Sequence, residues 1–365
     1  MDLAIGIVGL PNAGKSTVFT ALTRAAAAVA PYPFTTIEPH RGVVPVPDER
    51  LAAVARVTHP DRTVPAAVAF VDIAGLVRGA SRGEGLGNQF LGQIREVQAL
   101  AHVVRCFPDP EVPHVEGAVD PLRDIALVET ELALADLAVL ERERERVRAL
   151  ARTQADPRAR ARLAALTAAV EALQRGIPIR RLSLDADGAA ALHPLRLLTA
   201  KPVVYVANVA DVDLPDGGPA AEAVRRQASA AGAEAVVLAA KLEAEAAALD
   251  DAEAAQLLAA YGLAERGLVR LVQAAYRLLD LVTFFTTASK EVRAWPVPRG
   301  TRAPQAAGRI HTDMERGFIR AEVIHWEALV RAGSLRAAHE QGLIRLEGKE
   351  YVIQDGDVVQ FRFAV

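Results

Sequence analysis

The chain has 365 residues, 51% of them hydrophobic, enough for about two or three domains with cores of their own. A net charge of −3 with no apolar run of about 18 residues leaves no membrane span to expect, and the first residues enter a strand-like run without a basic leader, so no signal peptide is expected. One cysteine, Cys106, excludes an internal disulfide; it follows an apolar run and reads as a buried small hydrophobe in a reducing cytoplasm.

Ala4–Val8 is short, apolar and rich in β-branched residues, as a buried parallel strand requires. It leads into Gly9-Leu10-Pro11-Asn12-Ala13-Gly14-Lys15-Ser16, a complete G-x-x-x-x-G-K-[ST] phosphate loop. The segment from Thr17 to about Thr23 lacks Gly and Pro and is predicted helical. Strand, loop and helix in that order form a site for a nucleoside triphosphate with Mg2+. Gly9 and Gly14 let the backbone approach the phosphates. Asn12, Ala13, Gly14, Lys15, Ser16 and Thr17 line the cradle, whose N–H groups and helix N-terminus supply partial positive charge. Lys15 is the candidate to stabilise the transferring phosphoryl, and the Ser16 hydroxyl to ligate Mg2+. Asn12 is also a candidate ligand for a monovalent cation such as K+.

Within Phe34-Thr35-Thr36-Ile37-Glu38-Pro39, a Thr, with Thr36 the candidate, is expected to complete the Mg2+ shell when triphosphate is bound and to release it afterwards; a β-rich loop is the alternative for Thr35 and Thr36. The next strand, Val68–Asp72, ends in Asp72-Ile73-Ala74-Gly75. There Asp72 holds Mg2+ through water and the Gly75 N–H senses the γ-phosphate. Leu76 occupies the position where switch hydrolases place a water-orienting Gln, which Leu cannot replace. His114, in the Pro-rich loop Pro108–Gly117, is the candidate to take over that task; an ordinary surface-loop His is the alternative. The glycine-dense Gly79–Gly87 is expected to be a mobile switch segment.

Further strands are predicted at Ala101–Phe107, Pro202–Asn208 and Glu234–Ala239. Their alternation with helices predicts an α/β fold, a parallel sheet with the ligand at its carboxyl edge. From Asp124 to about Ala151 there is no Gly or Pro; Pro157 breaks the run, and a second helical stretch continues to about Leu173 before Gly176 stops it. Residues 125–197 are therefore predicted to be a helical hairpin inserted in the nucleotide domain. Residues 141–181 carry 11 Arg against 5 Asp plus Glu. That excess suggests a polyanionic partner such as RNA, with a solvated helix face as the alternative. Asn208-Val209-Ala210-Asp211 stands where a GTPase carries Asn-Lys-x-Asp. Val209 lacks the lysine stem that packs on the base, while Asp211 can accept from guanine or from the adenine amine. Ala239 and Ala240 belong to the loop whose backbone completes base binding. The last 85 residues show a strand at Thr283–Thr287, a strand end with a turn at Trp295–Gly300 and a strand-rich portion ending at Val358–Phe363 around one helix, a small α+β or β-grasp-like domain. No long apolar heptad seam is present, so a monomer is expected.

Several stretches together resemble the YchF family, the Obg-like ATPases of the translation-factor-related P-loop class. They are Gly9–Thr17, Tyr32–Pro39, Phe70–Val77, Gly83–Phe90, His102–Phe107, Thr130–Asp136, Ala303–Gly308, His311-Thr312-Asp313 and Gly317–Arg320. The resemblance implies a G domain over 1–124 and 198–280, a coiled-coil-like hairpin over 125–197 and a TGS domain over 281–365. It implies Mg2+-dependent nucleotide hydrolysis with ATP preferred, and association with the ribosome, at the large subunit with rRNA contacts. It places the family's loop histidine at His114, and the base contacts at Asn208 and the backbone near Val209. The family's usual Asn-x-x-Glu is here Asn-x-x-Asp, closer to the GTPase pattern. Two other readings stay open: a GTPase in which Asp211 reads guanine, and a nucleotide-gated ribosome- or RNA-binding module whose turnover is incidental.

Overall fold

The structure, a computed structural model, describes residues 3–29, 40–73, 75, 79, 87–153, 157–288 and 290–364. In chain order its elements begin with β1 (Ala4–Val8), α1 (Lys15–Val29), β2 (Arg41–Pro45), α2 (Glu49–Thr58), β3 (Arg62–Val64) and β4 (Ala67–Asp72). There follow α3 (Gly87–Glu96), β5 (Ala99–Arg105), α4 (Pro121–Thr153), α5 (Pro157–Gln174), α6 (Ala186–Leu192) and β6 (Val203–Asn208). Next are α7 (Gly218–Ala230), β7 (Glu234–Leu238), α8 (Ala240–Ala246), α9 (Asp251–Ala260) and α10 (Gly267–Leu278). The chain ends with β8 (Leu281–Ala288), β9 (Glu291–Pro298), α11 (Ala303–Ile310), α12 (Thr312–Arg316), β10 (Phe318–His325), α13 (Trp326–Ala332), α14 (Leu335–Glu340), β11 (Arg345–Glu347) and β12 (Asp357–Phe363).

These elements form two compact units, Met1–Val43 with Ala69–Ala275, and Val44–Val68 with Tyr276–Val365. The grouping differs from the expected nucleotide domain over 1–124, because residues 44–68 pack with the C-terminal part. There β3 pairs in parallel with β9, Thr63 opposite Val292, and Arg50 at the start of α2 bonds Asp355 at 2.7 Å.

The first unit is built on a sheet of order β2-β4-β1-β5-β6-β7, in which the successive pairs β4–β1, β1–β5, β5–β6 and β6–β7 are parallel. All residues of β1, β5 and β6 are buried, as strands covered on both faces must be. The order steps from β1 to β4 on one side and to β5 on the other. The loop after β1 therefore opens at the carboxyl edge where such folds hold ligands.

The helical insertion is present. Helix α4 runs for 33 residues, with Pro121 at its first position, where the missing N–H loses no helical bond. Helix α5 also starts on a proline and ends in a Schellman turn. Gly176 adopts φ 74°, its N–H bonds Leu173 O, and the Ile177 N–H bonds Ala172 O. Leu140 and Val147 of α4 pack with Leu166, Ala169, Val170 and Leu173 of α5 in a core of their own.

The second unit has a mixed sheet of order β11-β10-β12-β8-β9-β3. Helix α11 presses Ala303, Ala306 and Ala307 onto Phe284, Phe318 and Phe361. The expectation of one helix is corrected: α12, α13 and α14 also lie in the C-terminal stretch, in short pieces that carry little periodic signal. Among the described residues no helix is long and apolar enough to cross a membrane.

Candidate functional site

The loop between β1 and α1 turns on Gly9 (φ 150°) and Gly14 (φ 94°). Both positions exclude a side chain for reasons of space as well. A Cβ on Gly9 would stand 2.3 Å from Val103 O, and one on Gly14 2.3 Å from Asn208 Nδ2. Ser16 and Thr17 open the helix exposed, while Lys15 is 7% exposed and its Nζ donates to Leu10 O at 2.8 Å. Burial pushes the Lys15 ammonium down to about 8, against the pull of the Asp72 carboxylate.

Asp72 ends β4, its N–H bonded to His40 O at 2.8 Å. Its Oδ1 is buried with no hydrogen-bond partner among the described residues. A Cβ on Gly75 would lie 3.1 Å from Lys15 Nζ, so Gly75 sits directly against the lysine. One carboxylate with an unsatisfied oxygen, one exposed hydroxyl at Ser16 and the phosphates of a ligand make the donor set that Mg2+ takes, which rarely needs an all-protein cage. The residues present fit that ion. No group of three or more His, Cys, Asp or Glu that could hold a metal occurs among the described residues. Thr36, Leu76 and the glycine segment from 80 to 86 lie outside the described residues.

On the base side, Asn208 is 3% exposed and joins two loops. Its Nδ2 donates to Ala13 O at 2.9 Å, and its Oδ1 accepts the Ala240 N–H at 2.9 Å. With both polar ends engaged, Asn208 positions the phosphate loop against the loop after β7. Val209 is buried in the sheet core and its N–H donates to Leu238 O, so neither its side chain nor its amide faces outward. Ala239 and Ala240 are buried at the start of α8. Asp211 is exposed, with Oδ1 accepting the Val212 N–H at 2.9 Å and Tyr261 3.5 Å from Oδ2.

The loop after β5 brings His114 into the same unit. Asn12 Nδ2 donates to Pro113 O at 3.0 Å, tying the phosphate loop to the residue before His114. The imidazole is enclosed: Nε2 lies 2.8 Å from Asp124 Oδ2, and Nδ1 accepts the Glu116 N–H at 3.0 Å. Arg105, 2% exposed at the end of β5, builds this loop from inside. It donates to Phe107 O at 3.1 Å, Val112 O at 2.8 Å and Asp109 O at 3.4 Å, with its guanidinium 4.7 Å from the Phe107 ring centroid. Sequence reasoning missed Arg105 and Asp124. The available signals were an arginine closing a strand that is apolar but for His102, and a carboxylate in the first turn of the helix after the loop. Cys106 is buried and burial pushes its thiol up to about 12, which matches its reading as a packed hydrophobe.

A phosphate loop joining the first strand and helix of a parallel sheet, with the glycine of an Asp-x-x-Gly sequence against its lysine, defines a P-loop nucleotide hydrolase, and the first unit is one. A family model described as 50S ribosome-binding GTPase matches residues 4–151, and a model of the YchF GTPase C-terminal region, described as a protein of unknown function, matches 281–364. The chain is 49% identical to the ribosome-binding ATPase YchF of Escherichia coli O157:H7 over 365 residues, covering the whole of both chains. It is 47% identical to that of Bacillus subtilis over 367 residues, again covering both completely. Among solved structures it superposes on the Schizosaccharomyces pombe YchF GTPase with a TM-score of 0.90 at 34% identity, covering 99% of this chain and 98% of that one. The chain belongs to the YchF family.

Proposed function

We propose that this chain is a Mg2+-dependent nucleotide hydrolase that prefers ATP and acts as a conformational switch on the ribosome. The observation that carries the hydrolytic part is the packing of Lys15, Asp72 and Gly75 around one point of the phosphate loop. The names of the relatives, ribosome-binding ATPases, support the ribosomal part. In this reading the loop N–H groups from Ala13 to Thr17 and the Lys15 ammonium, released from Leu10 O, hold the β- and γ-phosphates. Ser16, Thr36 and Asp72 hold Mg2+, which when bound neutralises charge on the phosphate oxygens. Gly75 donates its N–H to the γ-phosphate, His114 orients water, and the amide oxygen of Asn12 contributes to a K+ site.

The preference for ATP rests on Val209. A valine turned into the core leaves no cationic stem over the base, and Asp211 alone is a weak selector for guanine. Asn208 acts through the loops it joins, and the base meets the chain near Asp211, Ala239 and Ala240. The second reading, a GTPase, is favoured by the exposure of Asp211. The protein works in the cytoplasm as a monomer, and its partner surface is the large ribosomal subunit with its rRNA. Residues 281–365 serve as a TGS domain of β-grasp type.

Competitive titration with labelled ATP and GTP, each with Mg2+ at matched salt, tests the nucleotide assignment. Tighter ATP binding is expected. A tenfold preference for GTP, about 1.4 kcal/mol, would make Asp211 a guanine reader and this chain a GTPase.

A further inference from the structure

His114 has no nitrogen left for water in this structure. Its Nδ1 accepts the Glu116 N–H, so the ring proton sits on Nε2, 2.8 Å from Asp124 Oδ2. Both side chains of the pair are 4% exposed. A histidine that orients water at a phosphate needs a free ring nitrogen and access to solvent. The conformation described is therefore one in which that group is withheld.

We propose that Asp124 is a positioning residue that holds His114 in this withheld state, and that exchanging the Asp124 hydrogen bond for one to water is the activating step. The proposal rests on the reading of His114 as the water-orienting residue. Asp124 suits the role because it is the fixed partner. It lies in the first turn of α4, beside the buried Ile125 and Val128, with its Oδ1 3.1 Å from Arg123 Nη2 and its N–H on Asp120 O. His114 is on a loop, and the adjoining Pro113 carbonyl is tethered to Asn12 of the phosphate loop. A change at the phosphate loop thus reaches the backbone next to the imidazole, while the carboxylate stays on the helix. The same helix holds the other nucleotide-facing segment, since Glu131 Oε1 accepts the Gly79 N–H at 2.9 Å. The His114 loop and the segment after the Asp-x-x-Gly sequence are thereby both anchored within two turns of α4.

The test is steady-state ATP hydrolysis by the full chain and its variants Asp124→Ala, Asp124→Asn, His114→Ala and His114→Ala/Asp124→Ala. Turnover scales with the populated fraction of the competent state, so Asp124→Ala is expected to raise kcat by about threefold or more. The ATP KM should stay within about twofold, since no phosphate contact is removed. Asp124→Asn keeps the shape and weakens a charge-assisted bond to a neutral one; it should fall between wild type and Asp124→Ala, and it stands in if the alanine variant does not fold. The double variant should drop to the His114→Ala rate. Long-range proton–nitrogen spectra of the nucleotide-free wild type should show His114 protonated at Nε2 only, a signature lost in Asp124→Ala. Asp124 variants at or below the wild-type kcat, with His114→Ala impaired, would overturn this proposal and leave the role of His114 standing. His114→Ala at the wild-type rate would overturn both.

Discussion

Lys15 is the residue on which electrostatics and function meet most directly. In the free protein its ammonium is lowered from 10.5 to about 8, because burial disfavours the charge more than Asp72 favours it. Between those two values the unfolded chain binds more protons than the folded one. The Lys15 contribution to stability is therefore unfavourable below about pH 8 and fades as pH rises to 10.5. A triphosphate reverses the balance by favouring the ammonium. Nucleotide affinity should accordingly fall as pH rises above about 8, by at most about tenfold per unit, and binding near that pH should take up protons. Calorimetric titrations in buffers of different ionisation enthalpy measure that uptake; affinity flat from pH 7 to 9.5 would contradict it. Lys15, Ser16, Asp72 and Gly75 were legible in the sequence because their chemistry is fixed by short-range spacing on a strand–loop–helix unit. Arg105 and Asp124 were not, since each is defined by groups that only the folded loop brings to it. Asn208 was expected to contact the base; its bonds to Ala13 and Ala240, which join two loops, were not legible.

At the scale of elements, α4 is the member that joins the nucleotide sheet to the helical hairpin. Asp136, fully buried near its middle, accepts the N–H groups of Leu198 and Thr199 at 2.9 and 2.8 Å and the Thr199 hydroxyl at 2.7 Å. About two turns earlier, Glu129 takes the Tyr205 hydroxyl at 2.6 Å and pairs with Arg180. These bonds fix the helix where the chain re-enters the sheet at β6. Asp136→Ala would strand three buried donors, and charged-acceptor bonds of this kind are worth about 1.5–3 kcal/mol each. A loss of about 3 kcal/mol or more is expected, read as a fall in the urea midpoint at constant m. A change below about 0.5 kcal/mol would show that α4 is held by its apolar face alone. The long helices could be read from the absence of Gly and Pro and from the proline and glycine at their ends. The pairing of β3 with β9 could not, because a three-residue strand has no period to detect and its partner lies over 200 residues away in sequence.

At the scale of the whole molecule, the uneven charge is the property that points outward. Arg142, Arg146, Arg148, Arg160, Arg175 and Arg181 are exposed on the hairpin and its flank, in a chain that is acidic overall. Arg146 pairs with Glu143, and Arg162 reaches the same carboxylate across the hairpin at 2.6 Å, so part of the excess is neutralised internally. Arg148 also pairs with Glu145, at 3.7 Å; in the proposed reading the remaining arginines are the surface that would face a ribosomal polyanion. Because α4 carries both the arginine-rich end and the partners of His114 and Gly79, nucleotide state and ribosome contact are expected to be coupled. The measurement that tests this most directly is co-sedimentation of the full chain with ribosomes under matched salt and Mg2+, with no nucleotide, with ADP, and with a non-hydrolysable ATP analogue. The pelleted fraction is expected to differ clearly between the ADP and analogue states; equal binding in all three would contradict a nucleotide-controlled switch.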